Sequence, residues 1–313
     1  MQVWQGRDAL PQDGVPSVVT IGFFDGVHRG HQAVFRRAGE HAARTGARSI
    51  AVTFDRHPRQ VFAPDTAPPL LTTLRHKAQL IEELGIDALA VLEFNVPFSK
   101  WSPEDFVERV LIHGLSAVQV VVGANFTFGH KAVGTFETLT DLGKANGFGV
   151  EAVGLLEIDG RTVSSSSIRQ ALNEGDTAWP REALGRRYSV EGWVVSGAGR
   201  GSGLGWPTAN LRTPESLLMP VDGVYAGLGR NRLGEWVAAI NIGVNPTFGA
   251  EPRHLEAFLL DYEGEGLKGE LLTIEFWERL RDEERFDSPE ALAEQIGRDV
   301  ERTRETVRLE DRP

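Results

Sequence analysis

The hydrophobic pattern of the first half of the chain switches regularly between short apolar runs and longer segments with helical spacing. The apolar runs are rich in β-branched and aromatic residues and predict buried strands at 18–23, 49–54, 88–94 and 118–122. Helical spacing over 32–44 and 74–84, and the N-cap sequence that begins at Ser102, predict helices between these strands. Strands that alternate with helices form parallel sheets, so we predict a doubly wound α/β fold for this half.

The pattern changes after the middle of the chain. From Tyr188 to Phe276, apolar and polar residues alternate in short segments separated by glycine, which is typical of antiparallel strands and predicts a small barrel or sandwich. Ser288 then begins a final helix. We therefore expect a first domain over 1–180 and a second over 181–313, in line with the length of 313 residues.

Composition narrows the classes of function. A net charge of -11 argues against broad electrostatic binding to DNA or RNA. Because cysteine is absent, the chain has no disulfide, no thiolate metal site and no cysteine nucleophile. No apolar run approaches the roughly 18 residues of a membrane span, and no Walker A loop, G-x-S-x-G elbow or H-E-x-x-H pair occurs. We expect a cytoplasmic protein without nucleic-acid or membrane partners.

The stretch SVVTIGFFDGVHRGH at 17–31 joins a strand, a glycine turn and the start of a helix. Unpaired backbone N–H groups and the positive end of the helix dipole favour an anion there, and His28 and His31 add further donors. Gly30 leaves room for the backbone to approach a nucleotide closely. A single histidine more often caps a helix or packs in a core, but H-x-G-H after a strand resembles the signature of adenylyl-transferring nucleotidyltransferases.

Further candidates follow other predicted strands, at the end of the sheet where ligands collect. His57 comes after the second strand, although a loop histidine is often only solvated. Asn125, Phe126 and Phe128 follow the strand at 118–122. The amide would donate and accept at the edge of a planar ring while a phenylalanine packs on its face. The alternative is that both rings belong to the core and Asn125 holds a turn.

A run of hydroxyl side chains lies between Arg161 and Arg169. Ser164 and Ser165, next to a helix start and together with the two arginines, would bind a triphosphate with hydroxyls, amides and guanidinium groups. Part of the run also fits ordinary helix initiation, because Ser167 and Gln170 have the spacing of a capping box.

Two segments of the second half offer chemistry. The glycines of 197–205, among them Gly201 and Gly205, predict a flap with free amides for phosphate, or only a flexible loop. Thr208 and Asn210 follow a proline and offer two oxygen ligands of the kind that Mg²⁺ prefers. Glu256 shares a strand face with apolar residues, so its carboxylate is a candidate general base, although a strand glutamate is more often an exposed surface residue.

Taken in order, these motifs resemble those of one family, the bacterial bifunctional riboflavin kinase/FAD synthetases. Its FMN adenylyltransferase module is similar to FFDGVHRGH, the His57-Pro58 pair, VVGANFTFG and SSSSIR. Its riboflavin kinase domain is similar to GRGxxLGxPTAN, GVYA, NIGVNPTF and the strand of Glu256. The resemblance implies a Rossmann-like nucleotidyltransferase domain followed by a small antiparallel β-barrel with a C-terminal helix.

The resemblance also assigns roles to residues. It implies that Glu256, His28 and His31 are catalytic, and that Thr208 and Asn210 bind Mg²⁺ together with substrate phosphates. The implied nucleotide and flavin contacts are Gly22, Phe24, Asp25, Gly30, His57, Asn125, Phe126, Phe128, Arg161, Ser164, Ser165, Arg169, Gly201, Gly205, Thr208 and Asn210.

The implied function is flavin cofactor synthesis, in which riboflavin and ATP give FMN, and FMN and a further ATP give FAD and pyrophosphate. Riboflavin, FMN, FAD and ATP are then the partners, Mg²⁺ is the cofactor, and we expect a monomer or a weak homo-oligomer. Two alternatives stay open: an adenylyltransferase for another phosphorylated acceptor with an inactive barrel, and a flavin-binding sensor without catalysis. The chain departs from the family pattern at Trp206, Phe258 and Leu267-Lys268.

Overall fold

The computed structural model describes residues 1–196, 208–244, 253–263 and 267–307. Contacts between residues divide the chain into two compact units, Met1–Ser165 and Ser166–Pro313. The domain boundary near residue 180 stays a prediction. Among the described residues, no helix is both long enough and apolar enough to span a bilayer.

A six-stranded parallel sheet forms the first unit, in the order β1-β4-β3-β2-β5-β6. The strands are β1 (Gln2–Gln5), β2 (Ser17–Ile21), β3 (Arg48–Phe54), β4 (Ala88–Leu92), β5 (Ala117–Gly123) and β6 (Gly149–Val153). The four predicted strands are confirmed as β2 to β5. The edge strands β1 and β6 were not predicted from the sequence.

Helices cover both faces of this sheet, which confirms the doubly wound fold. The helices are α1 (Arg29–Thr45), α2 (Pro58–Phe62), α3 (Leu74–Glu83), α4 (Pro103–Phe106), which continues as a π-helical segment over Val107–Ile112, and α5 (Phe136–Asn146). Strand residues such as Ala51 and Leu89 pack with α1 and α3 on one face, and their neighbours Val52 and Ala90 pack with the α4 region and α5 on the other. A short hairpin follows, formed by β7 (Glu157–Ile158) and β8 (Arg161–Thr162).

The topology brings two of the predicted motifs to one end of the sheet. β2 and β5 are neighbours in its middle, and the chain continues from them toward opposite edges. Ligands of open parallel sheets bind beyond the carboxyl ends of such a pair of strands. The turn after β2 carries the His28–His31 motif, and the segment after β5 carries Asn125.

The second unit is a closed antiparallel barrel with helices, in the order β10-β13-β12-β11-β14-β9. Helix α6 (Ser165–Asn173) spans the division, and the elements that follow are α7 (Ala178–Leu184), β9 (Ser189–Val195), β10 (Ala209–Arg212), β11 (Gly223–Asn231), β12 (Gly234–Gly243), β13 (His254–Leu259), β14 (Leu271–Arg281) and α8 (Pro289–Thr306). The barrel with its final helix is therefore confirmed. The capping box predicted at Ser167 is wrong, because α6 begins at Ser165, and the Ser167 hydroxyl accepts a hydrogen bond from Trp179 Nε1 at 3.4 Å.

Alternation along the barrel strands separates the core from the outer face. On β13, Leu255, Ala257 and Leu259 are buried, whereas the residues between them are partly exposed. Both sides of β11 are buried, because α8 packs over it from outside. The side chain of Glu256 therefore lies on the outer, partly exposed face of the barrel.

Candidate active sites

The turn between β2 and α1 has an unusual backbone. Phe24 and Val27 adopt left-handed φ angles of 52° and 45°, and Gly26 between them has a φ of 80°. Left-handed backbone costs free energy in residues other than glycine, above all in a β-branched residue such as valine. Other contacts must therefore hold this turn in place.

Asp25 supplies much of that support. Its buried carboxylate accepts hydrogen bonds from the backbone N–H groups of Leu71, at 3.0 and 2.9 Å, and of Thr72, at 3.1 Å. The N–H of Gly26 donates to the Thr72 hydroxyl at 3.2 Å, and the Ser165 hydroxyl donates to the Asp25 carbonyl at 2.9 Å. The turn is thus tied to the segment before α3 and to Ser165.

His28 and His31 form a stacked pair at the start of α1. His28 is the N-cap residue, and its Nδ1 accepts a hydrogen bond from the His31 N–H at 3.3 Å. The two ring centroids are 3.5 Å apart and the ring planes are inclined by 20°. A Cβ atom at Gly30 would lie 3.2 Å from the His28 ring. The glycine therefore makes room for the capping imidazole, a contact that the sequence does not reveal.

The surroundings of His31 favour a neutral imidazole. Burial, the neighbouring His28 and the ammonium of Lys77 hold the pKa of His31 well below its ordinary value. Its Nδ1 is buried and has no hydrogen-bond partner within the part of the chain that the structure describes. Phe24 packs edge-on against His31, with centroids 5.2 Å apart, and over Gly22, where a Cβ atom would lie 2.7 Å from the Phe24 ring. The His31 ring is thus held in place between His28 and Phe24.

His57 caps the short helix α2. Its Nδ1 accepts a hydrogen bond from the Arg59 N–H at 3.1 Å, and its own N–H donates to the Gln60 side chain at 2.8 Å. The His57 ring meets the Phe23 ring edge-on, with centroids 5.0 Å apart. His57 therefore lies beside the turn after β2.

Asn125 is exposed just beyond β5, and two phenylalanines follow it. The rings of Phe126 and Phe128 are nearly parallel, with centroids 5.5 Å apart and planes inclined by 13°. Phe128 is buried and belongs to the core, whereas Phe126 is partly exposed. The two rings extend an aromatic cluster that the sequence analysis did not identify, formed by Phe54, Phe94, Phe98, Trp101 and Phe106.

A cavity of about 460 Å³ opens beside this cluster, at the carboxyl ends of β1 and β4. Phe98, Trp101 and Asn95 line it. The guanidinium carbons of Arg7 and Arg109 lie 5.9 and 4.8 Å from the centroid of the Trp101 ring. Six of the residues that line the cavity are polar or charged, among them Asp8 and Glu93, so its wall is partly aromatic and partly charged. No sequence motif marks this cavity.

The predicted triphosphate contacts lie on three consecutive segments. Arg161 is on β8, Ser164 lies between β8 and α6, and Arg169 is on α6. Ser165 reaches the turn after β2 through its hydrogen bond to Asp25. The Val163 carbonyl would lie 3.9 Å from a Cβ atom at Gly30, so the segment before α6 approaches the start of α1.

The second candidate site lies on the outer face of the barrel. Glu256 Oε2 accepts a hydrogen bond from the Thr208 hydroxyl at 3.4 Å. His254 Nε2 lies 3.3 Å from Glu256 Oε1, and the exposed fractions of these two side chains are 21% and 23%. The carboxylate is therefore accessible and held between two polar partners.

Strand register brings two amide side chains beside Glu256. Asn210 on β10 pairs with Glu256 from one side, and Asn241 on β12 pairs with it from the other. Directly paired residues of neighbouring strands point to the same face, with Cβ atoms roughly 5 Å apart. Asn210 and Glu256 were predicted from the sequence. Asn241 and His254 were not, because alternation along one strand does not give its register with the next.

The barrel site offers a hydroxyl, amides and a carboxylate on one face, a donor set that fits Mg²⁺ with phosphate and water as further ligands. Among the described residues, no group of three or more His, Asp or Glu side chains could hold a metal ion. The predicted contacts Gly201 and Gly205, and the departure at Trp206, lie outside the described residues.

Comparison with known proteins gives a match for each half of the chain. A family model of FAD synthetase matches residues 10–167, and one of riboflavin kinase matches residues 184–307. A bifunctional riboflavin kinase/FMN adenylyltransferase from Pseudomonas fluorescens is 40% identical over 301 residues, which cover 96% of each chain. The chain belongs to the bifunctional riboflavin kinase/FMN adenylyltransferase family.

Two further relatives have the same description, and a solved structure with a different description is similar over nearly the whole chain. Proteins of the same description from Bacillus subtilis and Escherichia coli K12 are 36% and 34% identical, over 93% and 94% of this chain and 92% and 93% of theirs. A solved structure described as a macrolide-efflux protein from Streptococcus pneumoniae has a TM-score of 0.86, is 28% identical, and covers 97% of this chain and 99% of its own. The family predicted from the motifs is confirmed.

Proposed function

We propose that the barrel phosphorylates riboflavin to FMN at Glu256, and that the α/β unit adenylylates FMN to FAD at the stacked histidines. The observation that carries the proposal is the presence of two separate polar sites, each within the residues matched by a different family model. ATP is the co-substrate of both reactions. We expect the enzyme to act in the cytoplasm as a monomer or a weak homo-oligomer.

In the kinase reaction, Glu256 accepts the proton of the ribityl 5′-hydroxyl. That oxygen forms a bond to the γ-phosphorus of ATP, the bond to the bridging oxygen breaks, and ADP leaves. His254 and the Thr208 hydroxyl support this role because they contact opposite oxygens of the carboxylate and fix its orientation. Thr208 and Asn210 would hold Mg²⁺, which when bound offsets the negative charge of the phosphates.

In the adenylyl transfer, a phosphate oxygen of FMN attacks the α-phosphorus of ATP, and pyrophosphate leaves. The N–H groups of the first turn of α1 donate to the crowded phosphates, so no covalent intermediate with the protein is required. His31 lies in that first turn, and its neutral imidazole would donate one hydrogen bond to the phosphates. His28 orients that ring by stacking against it.

The aromatic cluster supports a flavin as the acceptor. Phe126 offers a partly exposed ring face, and Phe98 and Trp101 line a cavity at the same end of the sheet. A planar, largely apolar ring system gains from such stacking. Asn125, exposed beside them, would reach the polar edge of the ring or the phosphate of FMN.

The test is to incubate the purified protein with riboflavin, ATP and Mg²⁺ and to separate the flavins by chromatography. We expect FMN first and FAD afterwards. Parallel incubations with nicotinate mononucleotide and phosphopantetheine test the rival acceptors, and pyrophosphate release with those but not with FMN would contradict the proposal. Binding of FMN without any pyrophosphate release would instead favour the flavin-binding sensor.

A further inference from the structure

Lys77 on α3 is a buried amine beside the turn after β2, and none of the roles proposed above uses it. Its side chain is only 3% exposed. Its Nζ donates a hydrogen bond to the Phe23 carbonyl at 2.6 Å and lies 4.1 Å from the centroid of the Phe23 ring. The Phe23 carbonyl also accepts a hydrogen bond from the Thr53 hydroxyl at 3.1 Å.

A buried ammonium is expensive, because it gives up the hydration of a full charge. Methionine would fill a similar volume with no charge to desolvate. The Lys77 ammonium directly contacts a carbonyl and an aromatic face, and the nearby carboxylate of Asp25 adds a favourable charge. Packing alone therefore does not account for a lysine at this position.

The contacts of Lys77 lead to both sides of the adenylyl-transfer site. Phe23 is the residue at which the chain enters the left-handed turn of Phe24 to Val27, and this turn presents His28. The Phe23 ring also meets His57 edge-on. The charge of Lys77 acts on His31 as well, since it contributes to the low pKa of that histidine.

We propose that Lys77 is a positioning residue for adenylyl transfer, whose ammonium fixes the turn after β2 through the Phe23 carbonyl and favours negative charge at the start of α1. The inference rests on the adenylyl transfer proposed above. Charges act strongly over several ångströms where water is excluded, so the ammonium can stabilise the phosphates without touching them.

The pH dependence follows from the burial of Lys77. Burial lowers the pKa of Lys77 to about 8, against the opposing effect of Asp25. The titratable groups that face it are Asp25 from the turn and His31 from α1. Below this pKa the ammonium is charged, so FAD formation should fall as the pH rises through about 8.

The stability of the fold should respond in the opposite direction. Above the lowered pKa the folded protein has released the Lys77 proton, while the unfolded chain keeps it up to the ordinary lysine pKa. The unfolded state then binds more protons, so this group makes the free energy of unfolding rise with pH. If Lys77 were merely structural, the rate of FAD formation would not fall over the same pH range in which the free energy of unfolding rises.

The experiment compares the full-length protein with Lys77→Met, Lys77→Arg and the matched surface control Lys144→Met. FAD formation from FMN is measured against pH, and FMN formation from riboflavin serves as the internal check of each preparation. We expect Lys77→Met to lower kcat for FAD formation roughly 10- to 100-fold, with a smaller change in KM, and to abolish the fall near pH 8. Lys77→Arg should keep more activity and move the fall to higher pH, whereas Lys144→Met should match the parent.

Parent-like kcat and pH profile in Lys77→Met would overturn the inference. If Lys77→Met does not fold, Lys77→Arg decides, because a fall that stays near pH 8 in that variant would also overturn it. If the parent protein itself forms no FAD from FMN, the proposed function fails before Lys77 is at issue.

Discussion

The two candidate sites are held in place by different kinds of interaction. At the proposed adenylyl-transfer site, buried polar groups from α3 and the segment before it hold a turn with left-handed backbone. At the proposed kinase site, Glu256 and its neighbours lie on adjacent strands, and the backbone ladder of a closed barrel sets their spacing. Substitutions at the first site should therefore affect stability and rate together, whereas substitutions at the second should affect the rate alone.

Glu256→Gln should have the largest effect. The amide keeps the shape of the side chain but removes the basic oxygen, and general-base catalysis is typically worth about 10²- to 10⁴-fold. FMN formation from riboflavin should fall by that factor, as measured by chromatography of the flavins. FAD formation from supplied FMN and the unfolding midpoint should stay unchanged.

The control for this variant is Glu278→Gln, which changes an exposed glutamate on β14 that lies 3.6 Å from Arg302. A parent-like kinase rate in Glu256→Gln would show that another group takes the proton. Asp261 would be the next residue to test, although its carboxylate oxygens accept two hydrogen bonds from Arg304, each at 2.8 Å.

His28→Ala should lower FAD formation by about 10²- to 10³-fold, the usual cost of removing one electrostatic contact to a transition state. The variant also loses the N-cap of α1, so the first unit should become less stable by about 1 kcal/mol. FMN formation should stay near the parent rate, and the exposed His113→Ala serves as the control. An equal loss of both activities would contradict the separation of the two sites.

Asp25→Asn tests whether the first site depends on the hydrogen bonds that the buried Asp25 carboxylate accepts. An amide nitrogen in place of a carboxylate oxygen would face backbone donors instead of accepting from them, which should cost about 1–3 kcal/mol of unfolding free energy. Denaturant unfolding measures this cost, with the exposed Asp65→Asn as the control. A loss of FAD formation at unchanged stability would mean that Asp25 acts on a ligand and not on the turn.

Thr208→Ala should have the smallest effect of the four. Loss of one oxygen toward a phosphate or Mg²⁺ should lower kinase efficiency roughly tenfold, and excess Mg²⁺ should restore part of it. Thr213→Ala, whose hydroxyl lies 3.9 Å from the Met219 sulfur, is the matched control. Failure of Mg²⁺ to restore any rate would argue against a role of Thr208 in the metal site.

The sequence could predict the central strands because their apolar runs are continuous, and the face of Glu256 because the residues around it alternate. It could not predict β1 and β6, which lie at the sheet edges and are only partly buried. Lys77 was missed for a different reason. On an amphipathic helix a lysine is read as solvent-exposed, yet His76 and Lys77 lie on the buried side of α3 together with Leu80 and Ile81.

Tertiary contacts account for the rest of what the sequence did not reveal. Thr72 and Asp25 are far apart along the chain, and no pattern within either segment indicates their hydrogen bonds. Asn241 and His254 become neighbours of Glu256 only when the strands pair in register. Motifs thus predict the residues that would meet the substrate, whereas the residues that hold them become visible only in the fold.

Closure of the barrel also limits self-association through strand pairing between chains. A closed barrel has no unpaired strand edge, so its strands offer no template to another chain. Among the described residues, β1 and β6 form the two edges of the parallel sheet, and they are only four and five residues long. A short edge strand gives an incoming strand few hydrogen bonds. Both parts of the chain should therefore resist aggregation through strand pairing during folding or heating.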